Sequence, residues 1–244
     1  AKGCDVTGTD CSFFSEAVEA ANQSELVIAA IGERASMSGE DASRADISIP
    51  GVQEELVQAL LDTGKPVVVV LMNGRPLTIS KLTEQVPAIV EGWFLGTETG
   101  NAIADVLLGK YNPSGKLTMS FPRNVGQIPV FYNYRQSGRP GTDKLTKWTN
   151  RFIDSPVSPL YPFGYGLSYT TFSYSAPRVS QKEFSTNEIL KVSVDVTNTG
   201  QYDGEETIQL YIRDVIASVT RPVKELKGFK KIFLRKGETR TVGF

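Results

Sequence analysis

The sequence predicts an α/β fold, with a mostly parallel sheet sandwiched by helices, followed by an incomplete antiparallel β-sandwich. Up to about residue 110, short apolar segments alternate with segments of helical periodicity, the order that βαβ units produce. From about residue 173, apolar and polar residues alternate between turn residues, as in antiparallel strands. We therefore predict a first domain at residues 1–125, an ordered linker rich in Pro, Gly and aromatic residues at 126–172, and the β-sandwich at 173–244.

The first domain contains three apolar segments that predict buried strands and three segments that predict helices. Strands that are apolar on both faces are typical of a parallel sheet covered on both sides. We predict Ser12 as the N-cap of the first helix and Gly64 as the residue that ends the second. The predicted strands are ELVIAAI (25–31), KPVVVVLM (65–72) and PAIVEGWF (87–94), and the predicted helices are SFFSEAVEAANQS (12–24), VQEELVQALLDTG (52–64) and GNAIADVLLG (100–109).

The β-sandwich is predicted from four segments that alternate apolar and polar side chains. They are ILKVSVDVTNTG (189–200), EETIQLYIRD (205–214), KELKGFKKIFL (224–234) and ETRTVGF (238–244). Because the sequence stops within the last of them, we expect the sandwich to be incomplete. The acidic residues of DGEE (203–206) are predicted to lie on a solvated hairpin turn.

Composition excludes several classes of function. The 26 basic and 27 acidic residues form no long run of one sign, so neither nucleic acid nor a membrane surface is an expected partner. The chain has no histidine, which rules out Ser-His-Asp hydrolysis and zinc sites built on imidazole. Acid–base chemistry is left to carboxylates, Lys and Tyr.

Two features of the sequence leave alternatives open. Cys4 and Cys11 are either two unrelated thiols or a short-loop disulfide, which would indicate an oxidising compartment. The segment YPFGYGLSYTTF (161–172) is either a hydrophobic clamp between the two domains or a set of sugar-binding aromatic side chains.

A long polar loop, GERASMSGEDASRADISIP (32–50), follows the first predicted strand, and we call it the long loop. Long loops in compact domains are usually either functional or disordered, and ligands of parallel sheets bind beyond the carboxyl ends of the strands. Glu33 follows the strand directly, where a carboxylate can brace a neighbouring loop. Glu40 lies at mid-loop among small residues, so its side chain is free to project into a cleft. Asp41 and Asp46 fit turn positions, and we expect Arg44 to pair with one of them.

The long loop, TGKPVVVVLMNGRPL (63–77), GWFLGTETGNAIADVLLGKYNPSGKLTMSFPRNVGQIPV (92–130), LYPFGYGLSYTTF (160–172) and RPVKELKGFKK (221–231) together resemble the C-terminal part of a glycoside hydrolase family 3 β-glucosidase of the bacterial periplasmic type. The resemblance covers essentially the whole chain. It implies an α/β sandwich and then a fibronectin-type-III-like domain, which follow a (β/α)₈ barrel in this family. The sequence contains no barrel segment.

The resemblance also implies retaining hydrolysis of terminal β-D-glucosyl residues by two carboxylates, without a cofactor or metal. The nucleophile belongs to the barrel, and its SDW-like motif is absent here. The general acid/base is a Glu of the long loop; the family's pattern before RADISIP places it at Glu40, with Glu33 as the alternative. We therefore expect a β-glucoside or oligosaccharide as substrate, the barrel of the same protein as partner, a periplasmic or secreted location, and no activity of this chain alone. The competing interpretation is a non-catalytic accessory or carbohydrate-binding module.

Overall fold

A computed structural model describes residues 1–142, 148–185 and 187–244, and these residues form two units. Residues 143–147 of the predicted linker, and Thr186 in the predicted β-sandwich, lie outside the described residues. The first unit comprises Ala1–Ile103, Ser120–Val130 and Phe152–Tyr161, and the second comprises Ala104–Met119, Phe131–Arg151 and Pro162–Phe244. Among the described residues, no helix combines the length and the apolar character that a membrane crossing requires.

The first unit is built on a three-stranded parallel sheet in the order β1-β2-β3. The register pairs Val27 with Val67 and Val68 with Ala88, so the carboxyl ends of all three strands lie at one edge. The sequence therefore predicted the strands and their parallel arrangement correctly. The strands are β1 (Val27–Gly32), β2 (Val67–Met72) and β3 (Ala88–Glu91); the helices that accompany them in the chain are α1 (Phe14–Asn22), α2 (Gln53–Leu61), α3 (Ser80–Gln85) and α4 (Thr99–Leu107).

Burial differs between the central and the outer strands of this sheet. In β2, Val67, Val69 and Leu71 are fully buried. In β1, Ala29 and Ile31 are buried, whereas Ile28 is 53% exposed. The prediction of burial on both faces is therefore wrong for β1, which is an outer strand of the described sheet.

The start of α1 also differs from the sequence prediction. The N-cap position is occupied by Phe13, which makes no side-chain capping bond, so the prediction of Ser12 as N-cap is wrong. The Ser12 amide donates instead to Oδ1 of Asp10, at 2.9 Å. This Asx turn places Ser12 one residue before the cap. Cys4 and Cys11, which both precede α1, are free thiols, and burial raises the pKa of the Cys4 thiol.

The second unit contains two antiparallel sheets. One has the order β4-β6-β5 with β9 paired to β6, and the other consists of β7 and β8. Val196, Ile208, Leu234 and Val242 form the buried core to which both sheets contribute. All four segments predicted as strands are strands. The bounds are β4 (Phe172–Tyr174), β5 (Arg178–Val179), β6 (Val192–Asn198), β7 (Gly204–Ile212), β8 (Glu225–Leu234) and β9 (Thr239–Gly243).

One acidic residue of this unit is buried where the sequence predicted a solvated turn. Glu206 belongs to β7 and is 8% exposed. Its carboxylate accepts hydrogen bonds from the Tyr174 hydroxyl at 2.7 Å and from Nζ of Lys116 at 3.3 Å. The Lys116 charge and the two hydrogen bonds compensate the burial of the carboxylate. Burial and the contact with Glu206 both raise the pKa of Tyr174.

Candidate functional site

The long loop leaves the sheet at Gly32, the last residue of β1. Gly32 has φ 135°, and a Cβ there would lie 2.0 Å from the backbone oxygen of Met72. Only glycine fits so close to the neighbouring strand. The turn of the chain at this point brings the next residue, Glu33, beside the end of β2, where its amide donates to Met72 O at 2.8 Å.

A buried glutamine joins the two ends of the long loop. Gln53, at the start of α2, is 3% exposed. Its side-chain oxygen accepts the Gly32 amide at 2.8 Å, and its Nε2 donates to the carbonyls of Gly32 and Pro50, each at 2.8 Å. The loop is therefore closed by one amide side chain, a role that the sequence alone did not indicate.

Glu33 forms ion pairs with Arg44 and Arg75 that stabilise the long loop, and we call these three side chains the brace. The Glu33 side chain is fully buried, and Oε1 lies 2.6 Å from Nη1 of Arg44 and 3.1 Å from Nε of Arg75. Oε2 accepts the Gly74 amide at 3.3 Å. Two guanidinium groups thus compensate the buried carboxylate.

The partner of Arg44 is therefore Glu33, and the prediction that it pairs with Asp41 or Asp46 is wrong. Asp46 does have the expected turn role, because its Oδ1 accepts the Ser48 amide at 2.9 Å. This hydrogen bond lowers the pKa of Asp46. Arg44 pairs with Glu33 because a buried carboxylate needs a cation to compensate its charge. Asp46 is exposed, so solvent stabilises its charge.

Arg75 connects the brace to the middle of the long loop. Its Nη2 donates to the carbonyl of Met37 and, at 2.9 Å, to the carbonyl of Ala42. These two carbonyls lie on either side of Glu40 in the chain. The side chain that pairs with Glu33 therefore also fixes both ends of the turn that carries Glu40.

Glu40 has the opposite setting to Glu33. It lies in a turn between Gly39, at φ 124°, and Asp41, at φ 57°, and its side chain is exposed. A Cβ atom added at Gly39 would have no heavy atom of another residue within 4 Å, apart from its chain neighbours. Within the described part of the chain, the Glu40 carboxylate makes no hydrogen bond or ion pair. The structure thus places an unengaged carboxylate on a braced loop at the carboxyl edge of a parallel sheet, a position suited to proton transfer.

Two polar side chains that the sequence did not indicate lie at the ends of the neighbouring strands: Asn73 is buried, and Glu91 is partly buried. Asn73 is fully buried and donates from Nδ2 to the Arg75 carbonyl at 2.7 Å. Glu91, at the end of β3, accepts the Trp93 amide on Oε1 at 3.0 Å. Burial raises the pKa of Glu91 to about 7. The only sequence signal for Glu91 is a charged residue at the end of an apolar strand.

No group of three or more His, Cys, Asp or Glu side chains among the described residues is arranged to hold a metal ion.

Comparison with known families matches two parts of the chain. Residues 9–169 match the glycosyl hydrolase family 3 C-terminal domain, and residues 206–244 match a fibronectin type III-like domain. The first match contains the whole of the long loop.

Known relatives are similar over nearly the whole chain. A periplasmic beta-glucosidase of Salmonella typhimurium is 54% identical over 96% of this chain, and a beta-xylosidase of Formosa agariphila is 49% identical over all of it. The crystal structure of a beta-glucosidase from Listeria innocua in complex with glucose matches 99% of the chain, with a TM-score of 0.92 and 43% identity. The chain spans only about a third of these proteins: 31% and 33% of the two relatives and 34% of the crystallised chain.

Proposed function

The chain belongs to glycosyl hydrolase family 3, and from this membership we propose that it is the part of a retaining β-glucosidase that supplies the general acid/base, Glu40. The whole protein would hydrolyse terminal non-reducing β-D-glucosyl residues. Its nucleophile would lie on a barrel domain of the same protein, outside this chain. The beta-glucosidases among the relatives support the substrate class, and the name of the Salmonella relative supports a periplasmic location.

One observation carries the assignment to Glu40: of the two glutamates of the long loop, only Glu40 has a free carboxylate. Glu33 is fully buried and is held by Arg44 and Arg75. A general acid must reach the glycosidic oxygen and later accept a proton from water, so its carboxyl oxygens must be accessible. Glu40 meets this requirement, and Glu33 has the role of brace.

The reaction has two steps in which Glu40 would act in opposite directions. In the first, the barrel nucleophile bonds to the anomeric carbon, the bond from that carbon to the glycosidic oxygen breaks, and Glu40 gives its proton to the leaving oxygen. In the second, the Glu40 carboxylate takes a proton from water as the water oxygen attacks the anomeric carbon and releases the nucleophile. The brace contributes by holding the Met37 and Ala42 carbonyls, which fixes the turn relative to the sheet.

The beta-xylosidase relative makes a terminal β-xylosyl residue the second candidate substrate. Glucose and xylose differ in the hydroxymethyl group on the ring, and both reactions need the same proton transfer to the leaving oxygen. The role of Glu40 is therefore the same for either sugar.

The proposed role is tested in the full-length parent protein with Glu40→Ala and aryl β-glucosides of good and poor leaving groups. The value of kcat/KM should fall by about 10²–10⁴-fold for a poor leaving group, which needs protonation, and change little for an activated one. The matched control is Asp41→Asn, which alters the neighbouring exposed carboxylate and keeps a residue type that tolerates positive φ. An equal loss for both leaving groups would move the acid role away from Glu40, and no loss would favour the non-catalytic module.

A further inference from the structure

The second unit contains an open cavity of about 660 Å³, which the proposed role of Glu40 does not involve. This volume is in the range of small-molecule binding sites. Three stretches of the chain line the cavity: the residues that follow α4, the residues that precede β4, and the turn between β6 and β7. The side chains in its lining are those of Lys110, Asn112, Tyr169, Gln201, Tyr202 and Asp203.

Asn112 joins these three stretches. Its Oδ1 accepts the Ser168 hydroxyl and the Tyr169 amide, each at 2.8 Å, and its Nδ2 donates to the Asp203 carbonyl at 3.0 Å. A Cβ at Gly204 would lie 2.6 Å from that Nδ2, so a glycine at this position lets the turn approach Asn112 closely. The walls of the cavity are therefore fixed relative to one another before any ligand binds.

Two tyrosine side chains in the lining are exposed. Tyr169 is 47% exposed, and its hydroxyl donates to the Val106 carbonyl at 2.9 Å. Tyr202 is 63% exposed, and its backbone carbonyl accepts a hydrogen bond from Nδ2 of the buried Asn198 at 2.8 Å. Side chains held in this way lose less conformational entropy when a ligand packs against them. The cavity thus presents two aromatic rings on a fixed framework.

The lining side chains carry no net charge, because Lys110 and Asp203 contribute one charge of each sign. Two charged residues that contact the lining also have opposite signs: Asp105 lies 3.9 Å from Nζ of Lys110, and Nζ of Lys236 lies 2.6 Å from Oε1 of Gln201. Among the described residues, Nε2 of Gln201 has no partner. A charged ligand would therefore meet attraction and repulsion together, whereas a neutral ligand with hydroxyl groups finds both donors and acceptors.

We propose that this cavity binds a neutral oligosaccharide. Pyranose rings carry C–H groups on their faces and hydroxyl groups around their edges. The C–H groups pack against the negative faces of the Tyr169 and Tyr202 rings, and the hydroxyl groups exchange hydrogen bonds with Gln201, Asp203 and Lys110. Only the choice of β-glucosyl sugars as probes rests on the proposed function, and the binding site does not depend on the role of Glu40.

The first test is a titration of the 244-residue chain with laminaritetraose and with cellotetraose, followed by ¹H–¹⁵N NMR of the backbone amides. At millimolar concentrations of at least one of the two sugars, the amides of residues 109–112 and 201–203 should shift together with a single dissociation constant. If neither sugar shifts these amides, the proposal is wrong. Shifts confined to the first unit would also overturn it, because the sugar would then bind at a different place.

Three variants test the part played by the Tyr202 ring. Because Tyr202 is exposed, Tyr202→Ala leaves the core intact, and Kd for the sugar should rise by about tenfold. Tyr202→Phe retains the ring, so its Kd should stay within about threefold of the wild type. The matched control is Tyr134→Ala, which removes another exposed ring of the second unit that does not line the cavity. Unchanged binding by Tyr202→Ala, or an equal loss in the control, would contradict the proposed site.

The class of ligand has a test of its own. Binding of a neutral sugar should change by less than about twofold when the NaCl concentration is raised tenfold, since the ligand has no charge to screen. Inorganic phosphate at the same ionic strength should leave the amides of residues 109–112 and 201–203 unshifted. Shifts with phosphate and none with sugar would show an anion site instead. None of these experiments measures hydrolysis, so their failure is distinct from failure of the leaving-group test of Glu40.

Discussion

The carboxylate of Glu33 lies 2.6 Å from Nη1 of Arg44, eleven residues further along the chain, and the pair closes the long loop on itself. The glutamate is fully buried, while the Arg44 side chain is 17% exposed. Breaking such a pair by removing the cation leaves a buried charge with less compensation, which is strongly destabilising. The stability of the first unit and the geometry around Glu40 therefore depend on the same ion pair.

Replacement of Arg44 by Met should lower the free energy of unfolding of the first unit by about 2–4 kcal/mol, because Arg75 is then the one cation left beside Glu33 among the described residues. Urea unfolding followed by Trp93 fluorescence, in a background in which Trp148 is replaced by Phe, measures this change. The control is Arg34→Met, since Arg34 is exposed and makes no ion pair among the described residues. A similar loss in both variants would show that the ion pair has no particular role.

Gly32→Ala and Gly39→Ala separate two effects of adding a Cβ at positive φ. At Gly39 the new Cβ meets open space, so only backbone strain of about 1–2 kcal/mol is expected. At Gly32 the Cβ would lie 2.0 Å from the Met72 backbone oxygen. The free energy of unfolding of Gly32→Ala should therefore fall by at least about 2 kcal/mol more than that of Gly39→Ala. Chemical denaturation of the two variants provides the comparison. Equal losses would mean that the strands can move apart at low free-energy cost.

The sequence predicted the elements whose pattern is local and missed the contacts that depend on distant residues. Apolar runs and apolar–polar alternation indicated the strands of both units. The six-residue α3 was not predicted, because Leu82 is its one buried residue and a single apolar residue forms no helical stripe. The burial of Glu206 depends on Lys116, ninety residues away in the chain. The brace role of Glu33 could be anticipated from its place after β1, whereas the partner of Arg44 followed from burial, which a single sequence does not show.

The buried ion pair of the second unit gives a parallel test. Lys116→Met should destabilise the second unit by about 2–4 kcal/mol, because the Tyr174 hydroxyl is then the one hydrogen-bond partner left to Glu206 among the described residues. Lys227→Met is the matched control, since Lys227 pairs with Glu225 where both side chains are more than 40% exposed, and such pairs contribute at most about 1 kcal/mol. Thermal unfolding of the two variants should rank them in this order. A control as destabilised as Lys116→Met would contradict the importance of burial.

The stability of the first unit should decrease as the pH rises through the range in which Glu91 ionises. The pKa of Glu91 is about 7 in the folded state, against an ordinary value of 4.5 that applies to the unfolded chain. Between these values the folded state binds more protons than the unfolded state, so raising the pH favours unfolding. The stabilisation by the proton is complete below pH 4.5 and is lost by about pH 7 to 8. The free energy of unfolding should therefore decrease by at most about 3 kcal/mol between these two pH values.

Glu91→Gln removes the titrating group and retains an oxygen that accepts the Trp93 amide, so its stability should lack this part of the pH dependence. Urea unfolding of the wild type and of the variant at pH 5, 6, 7 and 8 gives the comparison, with the change in their difference as the measured quantity. The control is Glu54→Gln, because burial also raises the pKa of this glutamate, which lies on α2 and not on the sheet. The variant Glu91→Gln should become the more stable protein, relative to the wild type, with each step in pH. Parallel curves for the two proteins would show that Glu91 is ionised in the folded state across the whole range.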